Sequence, residues 1–212
     1  ESVLAGAYGG IAPQAHGVVP EGVLGHRDKS KFSYNPDEAK DLLKQAGVSN
    51  LAVDIKVLSG ETAQVTAGQI VQSNLNDVGL NATVSTVDSG PYWNLGLESK
   101  GDAWKTLELW IMRFRCSPDP ADALQWFKKD QVGVWNWERW TNDEFEKLWD
   151  EGLKETDTTK RAAIYVRMQE IMEDTGAYTW ITFDPWDYAS SNDINPGFDP
   201  GGEIRAELIK KA

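Results

Sequence analysis

The residues from Trp110 to Pro120 combine side-chain types that recognise small charged or aromatic molecules. Arg113 and Arg115 supply guanidinium groups, which bind carboxylates and phosphates through paired hydrogen bonds. Trp110 and Phe114 supply rings that can stack on sugars, amides and cations. The same rings would also serve as packing residues beneath helices, so the sequence leaves a binding role and a packing role open.

Side chains suited to catalysis are sparse. His16 and His26 lie in a loop-rich segment, at a spacing that matches no standard metal site. Cys116 follows Arg115, but no histidine nearby in the sequence could act as its base. The sequence also contains no Gly-rich phosphate loop, dinucleotide fingerprint or nucleophile elbow. We therefore predict a non-enzyme without cofactor or metal, and keep a small α/β enzyme as the less favoured alternative.

A second aromatic stretch runs from Trp135 to Trp140 and contains Trp137 between them. Alternating rings of this kind either form one face of the core or line a groove. We expect core packing for at least two of the three, and we include Trp137 among the candidate ligand-binding residues.

Bulk composition narrows the class of protein. The chain has 212 residues, a formal net charge of -12 and one cysteine. Clustered lysine and arginine are needed to bind a phosphate backbone, so the acidic charge argues against nucleic acid. No apolar run approaches the length of a membrane span. These features are typical of a globular protein with one core.

The elements that would position these residues alternate between strands and helices, which predicts an α/β fold with a mixed sheet flanked by helices. Asn35 and Pro36 begin a helix that ends near Gly47, and Asp157 caps another that ends near Gly176. Residues 1–33 are expected to be loop-rich, and residues 184–212 irregular apart from a possible short helix near Glu207. The remaining predictions are strands over 51–57, 80–84, 104–114 and 178–183, and helices over 61–79, 91–98, 119–127 and from Thr141.

Several of these segments carry local patterns that resemble one known family, the extracytoplasmic solute-binding proteins of peptide, nickel and opine ABC importers. The resemblance covers about residues 1–185, and the order and spacing of the patterns make it specific. The patterns are Tyr34-Asn35-Pro36 with Ala39, Lys40, Leu43 and Ala46-Gly47; Gln72, Leu75 and Gly79; Asp119-Pro120 with Leu124; Asn142-Asp143-Glu144-Phe145 with Leu148; and Thr156-Asp157 with Arg161, Tyr165 and Gln169.

The resemblance implies one lobe of a two-lobed clamshell, with the ligand-binding C-terminal lobe over residues 1–183 and a tail over 184–212 that returns toward an absent N-terminal lobe. It also implies that Asp119 belongs to the ligand-binding loop. Peptide-binding members carry an aspartate four positions before the proline of the Asp-Pro pair, where it meets the peptide's α-amine. Here that position is Cys116, with Arg113 and Arg115 close by.

The expected function is therefore capture, outside the cytoplasm, of a peptide-like or opine-like small solute, a class that includes anionic molecules. An oligosaccharide stacked on tryptophan is the alternative ligand. The expected partners are an ABC permease and its ATPase subunits, with peripheral contact to the membrane through the permease only, and the chain is expected to be a monomer. The expected ligand-binding residues are Trp110, Arg113, Phe114, Arg115, Cys116, Asp119 and Trp137.

Overall fold

A computed structural model describes residues 1–184, 188–198 and 204–212. The fold is α/β, as predicted. Its helices are α1 (Ser2–Tyr8), α2 (Pro36–Gln45), α3 (Thr62–Asp77), α4 (Ser89–Tyr92), α5 (Pro120–Leu124), α6 (Asp143–Gly152) and α7 (Thr158–Asp174). Its strands are β1 (Ala52–Leu58), β2 (Asn81–Val87), β3 (Leu109–Trp110), β4 (Ile194–Asn195) and β5 (Lys210–Lys211).

The sheet next to the candidate site has three parallel strands in the order β2-β1-β3, and β4 and β5 form a separate antiparallel pair. β1 is central and pairs with β2 along its whole length. Its alternating pattern buries Ile55 and Val57, as expected for a strand that is covered by helices. Helix α3 connects β1 to β2, so the predicted strand–helix–strand unit is confirmed.

Small residues let α3 lie close to its neighbours. A Cβ atom at Gly68 would come within 2.9 Å of Val57 on β1, and Ala67 beside it is fully buried. On another side α1 packs against α3, where a Cβ atom at Gly6 would come within 2.8 Å of Ile70. We expected no helix before residue 35, so α1 is a correction: it is stabilised by packing through Gly6 that the sequence pattern did not indicate.

The predicted strand over residues 104–114 is wrong in length and in position. A 3-10 helix covers Ala103–Thr106, and β3 has two residues. β3 pairs only with β1, so it lies at an edge of the described sheet instead of its centre. After Ile111 donates to the carbonyl of Lys56 at 3.1 Å, residues 111–117 are irregular. Trp110 lies in β3 and packs against the ring of Trp137, whereas Phe114 packs against the ring of Phe127 without strand pairing.

Three other expectations need correction within the described residues. The segment 178–183 forms no strand beyond a single bridge between Gln14 and Thr182. Helix α6 is capped by Asn142, whose side chain accepts from the N–H of Phe145 at 3.0 Å, and not by Thr141. Over residues 91–98 the helix is confined to α4 and a 3-10 turn that starts at Glu98. Each correction concerns pairing or end positions, which local patterns define poorly.

Two hydrophobic cores hold these elements together. The larger core lies in what we term the helical region, which consists of α5, α6, α7 and the loop that packs on them. The smaller core lies in the sheet region, which consists of β1–β3, α3 and α4. The buried residues of the larger core are Val19, Ala121, Leu124, Phe127, Trp140, Phe145, Tyr165, Met168, Ile171 and Met172. Those of the smaller core are Leu58, Tyr92 and Trp137.

The tail is described in part. β4 and β5 pair with each other, and a 3-10 helix over Ala206–Leu208 matches the short helix expected near Glu207. The rest of the predicted irregular tail includes residues 185–187 and 199–203, which lie outside the described residues.

Candidate ligand-binding site

A cavity of about 970 Å³ lies where the sheet region meets the helical region. Its walls come from the loop after β3, the N-terminal loop over residues 15–20, the turn over 137–139 and the segment over 176–184. Gln64, in the first turn of α3 after the carboxyl end of β1, adds to the lining. Open α/β sheets bind ligands outside the carboxyl ends of their strands, which is where this cavity lies.

Six of the seven predicted site residues line the cavity, and Asp119 does not. The six are Trp110, Arg113, Phe114, Arg115, Cys116 and Trp137. Asp119 instead caps α5 by accepting from the N–H of Ala121 at 2.9 Å, and its carboxylate binds Arg161 at 2.8 Å. Asp119 therefore connects α5 to α7, and its contact with ligand stays a prediction.

The N-terminal wall is held by one face of α7. Gln169, which is fully buried, accepts from the N–H of Val19 at 3.2 Å and donates to the carbonyl of Gly25 at 2.8 Å. Two turns earlier, Arg161 lies over the ring of Tyr165 at 5.1 Å. The pattern Arg161, Tyr165 and Gln169 that contributed to the family resemblance therefore has a structural role. Gln169 fixes the loop that forms this wall, and Arg161 connects α7 to Gly152 and Asp119.

Trp137 is mainly a core residue with one edge on the cavity. It is 3% exposed, its Nε1 donates to the carbonyl of Val134 at 3.0 Å, and its ring lies 5.9 Å from Tyr92 and 6.1 Å from Trp110. A Cβ atom at Gly96 would collide with the indole. Trp140 is also buried, so core packing is confirmed for two of the three tryptophans in this stretch.

Asn136 anchors the turn that carries the next residues into the cavity. It is fully buried, and its side-chain amide donates to the carbonyls of Phe127 at 3.1 Å and Trp140 at 2.7 Å. It also accepts from the N–H of Trp140 at 3.1 Å. Three residues later, Arg139 has φ of 56°, in the left-handed region that non-glycine residues rarely adopt. The anchored turn sets where Glu138 and Arg139 reach the cavity.

Two arginines of the lining, Arg113 and Arg139, have protein carboxylates close by. Arg113 contacts Glu61 at 3.2 Å and forms an ion pair with Asp184. Arg139 forms an ion pair with Glu98, and its guanidinium lies 3.9 Å from the ring centre of Trp104. An anionic ligand at Arg113 would therefore share that cation with two carboxylates.

Cys116 has the environment of an unreactive thiol. Burial raises its pKa to about 12, and the charges of Asp122 and Asp119 act in the same direction. Its sulfur donates to the carbonyl of Ser117. The thiolate is the nucleophilic form, and this pKa keeps Cys116 protonated at neutral pH.

Four buried polar atoms of the lining have no hydrogen-bond partner within the described part of the chain. They are Gln64 Oε1, Trp126 Nε1, Arg139 Nη1 and Trp180 Nε1. Three of them are donors, and a buried donor without a partner costs about 1–3 kcal/mol. Such atoms need an explanation in a folded protein, and all four belong to side chains that line one cavity.

Glu138 is the most perturbed acidic group of the lining. Burial raises its pKa to about 7, while the Tyr178 hydroxyl, which donates to Oε2 at 3.5 Å, acts in the opposite direction. Burial, followed by the charge of Glu138, raises the pKa of Tyr178. Sequence reasoning missed Gln64, Trp126, Glu138 and Trp180. No local pattern marks them, because the partners that define their environment lie far away in the sequence.

The described residues contain neither a candidate metal site nor a candidate membrane-spanning helix. They contain no group of three or more His, Cys, Asp or Glu side chains placed to hold a metal ion. None of their helices is long and apolar enough to cross a membrane.

The sequence of this chain matches the family described as bacterial extracellular solute-binding proteins, family 5 Middle, over residues 1–144. The match covers more than half of the chain, and the chain belongs to this family. The resemblance seen in the sequence is therefore confirmed.

Individual relatives agree with this assignment. The chain is 24% identical over 174 residues to the glutathione-binding protein GsiB of Escherichia coli (strain K12), a match that spans 78% of this chain and 33% of GsiB. A dipeptide-binding protein from Pseudoalteromonas sp. SM9913 in complex with Met-Leu superposes with a TM-score of 0.78 at 20% identity, over 100% of this chain and 42% of that one. A periplasmic oligopeptide-binding protein from Thermotoga maritima with bound mannohexaose superposes with a TM-score of 0.76 at 19% identity. The superposition covers 95% of this chain and 42% of that protein.

These structural similarities confirm the fold predicted from the sequence, an α/β lobe like those of periplasmic binding proteins. The chain spans 33% of GsiB and 42% of each of the two structures.

Proposed function

We propose that the chain is the ligand-binding part of the substrate-binding component of an ABC importer, and that it captures a small peptide-like or opine-like solute in the cavity. Residues 1–183 would form one lobe of a clamshell, and residues 184–212 would return toward a second lobe. The protein would act outside the cytoplasm as a monomer. It would deliver its solute to a permease that works with ATPase subunits.

One observation carries this proposal. The cavity is lined by rings and by charged groups of both signs, and it contains the four unpartnered polar atoms Gln64 Oε1, Trp126 Nε1, Arg139 Nη1 and Trp180 Nε1. Ligand sites combine mostly apolar walls with a few polar groups that fix orientation. Three donors and one acceptor suit a solute with several carbonyl or carboxylate oxygens and an N–H group.

An acidic group on the solute would find its partner at Arg113 or Arg115. Both side chains line the cavity, and a guanidinium binds a carboxylate with two parallel hydrogen bonds. The ion pairs of Arg113 with Glu61 and Asp184 do not prevent this, because Arg113 is 46% exposed and its guanidinium has five N–H donors.

An oligosaccharide is a second candidate solute, and one observation favours it. Five tryptophans line the cavity, namely Trp104, Trp110, Trp126, Trp137 and Trp180. Indole faces stack on sugar rings, and one structural relative contains mannohexaose. The charged groups of the lining favour the peptide-like solute over this alternative.

We also propose that the chain is not an enzyme. The one cysteine is protonated at neutral pH because of burial, and the family is defined by solute binding. Robust hydrolysis of peptide, ester or glycoside substrates by the purified protein would contradict this part of the proposal.

The function is tested by binding in the full-length protein. Thermal-shift screening against dipeptides, glutathione, opines and oligosaccharides would identify stabilising solutes, and calorimetry would then measure their affinity and stoichiometry. We expect one solute class to bind at one site per chain. Absence of binding by every class would overturn the proposal.

A further inference from the structure

The carboxylate of Glu138 differs from the other carboxylates that line the cavity. Among them, Glu108 accepts from the N–H of Asp54 at 2.7 Å, Asp122 accepts from the N–H of Ser117 at 2.9 Å, and Asp184 forms an ion pair with Arg113. Glu138 contacts its own backbone N–H and the Tyr178 hydroxyl at 3.5 Å. No cation pairs with Glu138 within the described ranges.

A carboxylate in this position is costly unless a ligand completes its environment. Removal of a charged group from water is unfavourable without a partner of opposite sign or several hydrogen bonds. The bond from Tyr178 is long, and the raised pKa of Glu138 reflects the same lack of stabilisation. A carboxylate retained under these conditions in a ligand cavity indicates a charge supplied by the ligand.

The surroundings of Glu138 suit an ammonium group. The ring of Tyr178 is stacked on that of Trp180, with 5.7 Å between ring centres and an interplanar angle of 3°, and Trp137 precedes Glu138 in the chain. Aromatic faces attract cations, most strongly where water is excluded. A cation beside Glu138 would therefore pair with the carboxylate in a setting that also contains aromatic rings.

The groups around Glu138 would hold the other end of the same molecule. Arg139 Nη1 and Trp180 Nε1 are buried donors without partners, and both residues belong to the same lining as Glu138. Donors of this type bind carboxylate or carbonyl oxygens. A solute with an amine at Glu138 and a carboxylate at these donors would be a zwitterion, such as an amino acid conjugate or a short peptide.

We propose that Glu138 is the counter-charge for a protonated amine on the solute. This inference rests on the proposed function and narrows it to solutes that carry a free amine. It adds Glu138 to the binding residues, a position that the sequence did not indicate.

The experiment is calorimetry of the full-length protein with matched probes. Met-Leu and glutathione are each compared with their N-acetyl derivatives, in which the amine has lost its charge. We expect the free amines to bind at least tenfold more tightly than the acetylated forms. In Glu138→Gln this preference should fall to within twofold, whereas Glu138→Asp, which keeps the charge, should retain it.

Glu108→Gln is the matched control. Glu108 lines the same cavity, and its carboxylate already accepts from the N–H of Asp54, a bond that an amide oxygen can also accept. We expect this variant to bind both members of each probe pair within twofold of the wild type. An equal loss in both variants would show that general charge in the cavity, and not Glu138, sets the preference, and would overturn the inference.

Proton release gives a second readout. Burial raises the pKa of Glu138 to about 7, and pairing with an ammonium group favours the ionised form. Titration in two buffers of different ionisation enthalpy should therefore show that the wild type releases more protons on binding than Glu138→Gln does. The same proton balance in both proteins would overturn the inference, because it would show that binding does not change the ionisation of Glu138.

The outcomes separate this inference from the proposed function. Equal binding of free and acetylated probes, or unchanged preference in Glu138→Gln, would overturn the role of Glu138 while solute binding stands. Binding of mannohexaose with no binding of any amine would also overturn it and favour the oligosaccharide candidate. If no probe bound, both the amine inference and the peptide-like function would be wrong.

Discussion

The helical region holds its side of the cavity with buried polar side chains, whereas the sheet region holds its side with apolar rings. Gln169 and Asn136 are fully buried and make several hydrogen bonds to main-chain groups. On the other side Trp137 packs between Tyr92 and Trp110. Asn136 and Trp137 are adjacent in the sequence. Asn136 nevertheless bonds to residues of the larger core, whereas Trp137 belongs to the smaller one.

This difference explains where the binding groups emerge. The turn that contains Glu138 and Arg139 begins where the two cores meet, so its position depends on both. Hydrogen bonds are directional and fix the main chain, while ring packing allows small shifts. We infer that the helical side is the stiffer wall, and the following predictions test that difference in order of expected effect.

The largest expected effect comes from Gln169→Leu. It leaves the N–H of Val19 and the carbonyl of Gly25 buried without their partner, at a cost of about 1–3 kcal/mol for each group. We expect a loss of about 2–4 kcal/mol in the free energy of unfolding, measured by chemical denaturation.

Gln72→Leu is the matched control in the sheet region. Gln72 donates to the carbonyl of Ala82 at 2.9 Å, a carbonyl that also accepts from Asn76 at 3.5 Å. The same substitution should therefore cost less than half as much as at Gln169. Equal losses at the two positions would break the comparison between the regions.

The next prediction concerns the arginines of the sheet-side wall. In the full-length protein, substitution of alanine for the arginine that contacts the solute, Arg113 or Arg115, should weaken binding by about 1.5–3 kcal/mol because a hydrogen bond to a charged group is lost. Calorimetry with the identified solute measures this change, and Arg167→Ala on an exposed part of α7 serves as the control. If both single variants bind as the wild type does, the anionic contact is wrong.

Gly96→Ala should weaken the packing of the sheet-side wall. The added Cβ atom would overlap the indole of Trp137, and relief of such overpacking costs about 1–3 kcal/mol. Gly90→Ala is the control, because no atom lies within 4 Å of the added Cβ. Matching denaturation midpoints for the two variants would show that Trp137 is less tightly held than its contacts indicate.

A smaller effect is expected from the pH dependence of Glu138. Its pKa is about 7 in the folded protein against 4.5 ordinarily, so the folded state holds more protons than the unfolded state between these values. The contribution of Glu138 to the free energy of unfolding is therefore complete below pH 4.5 and is lost as the pH rises through 7. Relative to Glu138→Gln, the wild type should lose roughly 1–2 kcal/mol between pH 5 and 8, a figure reduced because the side chain is only partly buried.

That pH prediction is checked by denaturation of both proteins at several pH values. Tyr178, whose hydroxyl contacts Glu138, is the titratable partner across the turn, and its own pKa is raised by burial. It therefore stays neutral over this range. A stability difference that does not change with pH would show that Glu138 is ionised throughout.

The sequence predicts the capped helices well, because a cap depends on residues close together in the chain. Asn35 accepts from the N–H of Glu38, and Asp157 accepts from the N–H of Lys160, as their spacing indicated. The alternating segment before Cys116 was misread as a strand because alternation reports which side chains are buried. It does not report whether a neighbouring strand offers free main-chain groups.

The candidate site could be predicted only in part, for the same physical reason. The loop after β3 was identified because arginines and rings occur together in it. Glu138 could not be identified, because its environment depends on Tyr178, which lies 40 residues away in sequence. Asp119 was assigned to the ligand by resemblance, yet its partner is Arg161, 42 residues away.

We propose that this chain provides one side of a solute-binding cleft, and calorimetry of the chain and of the full-length protein with the same solute tests this proposal most directly. One lobe alone leaves part of the ligand in water, while the entropic cost of association remains. Loss of even about 4 kcal/mol of contacts weakens binding about a thousandfold. The account predicts micromolar binding by the full-length protein and millimolar or weaker binding by the chain alone. Equal affinities would contradict it, because they would show that this chain contains the complete site.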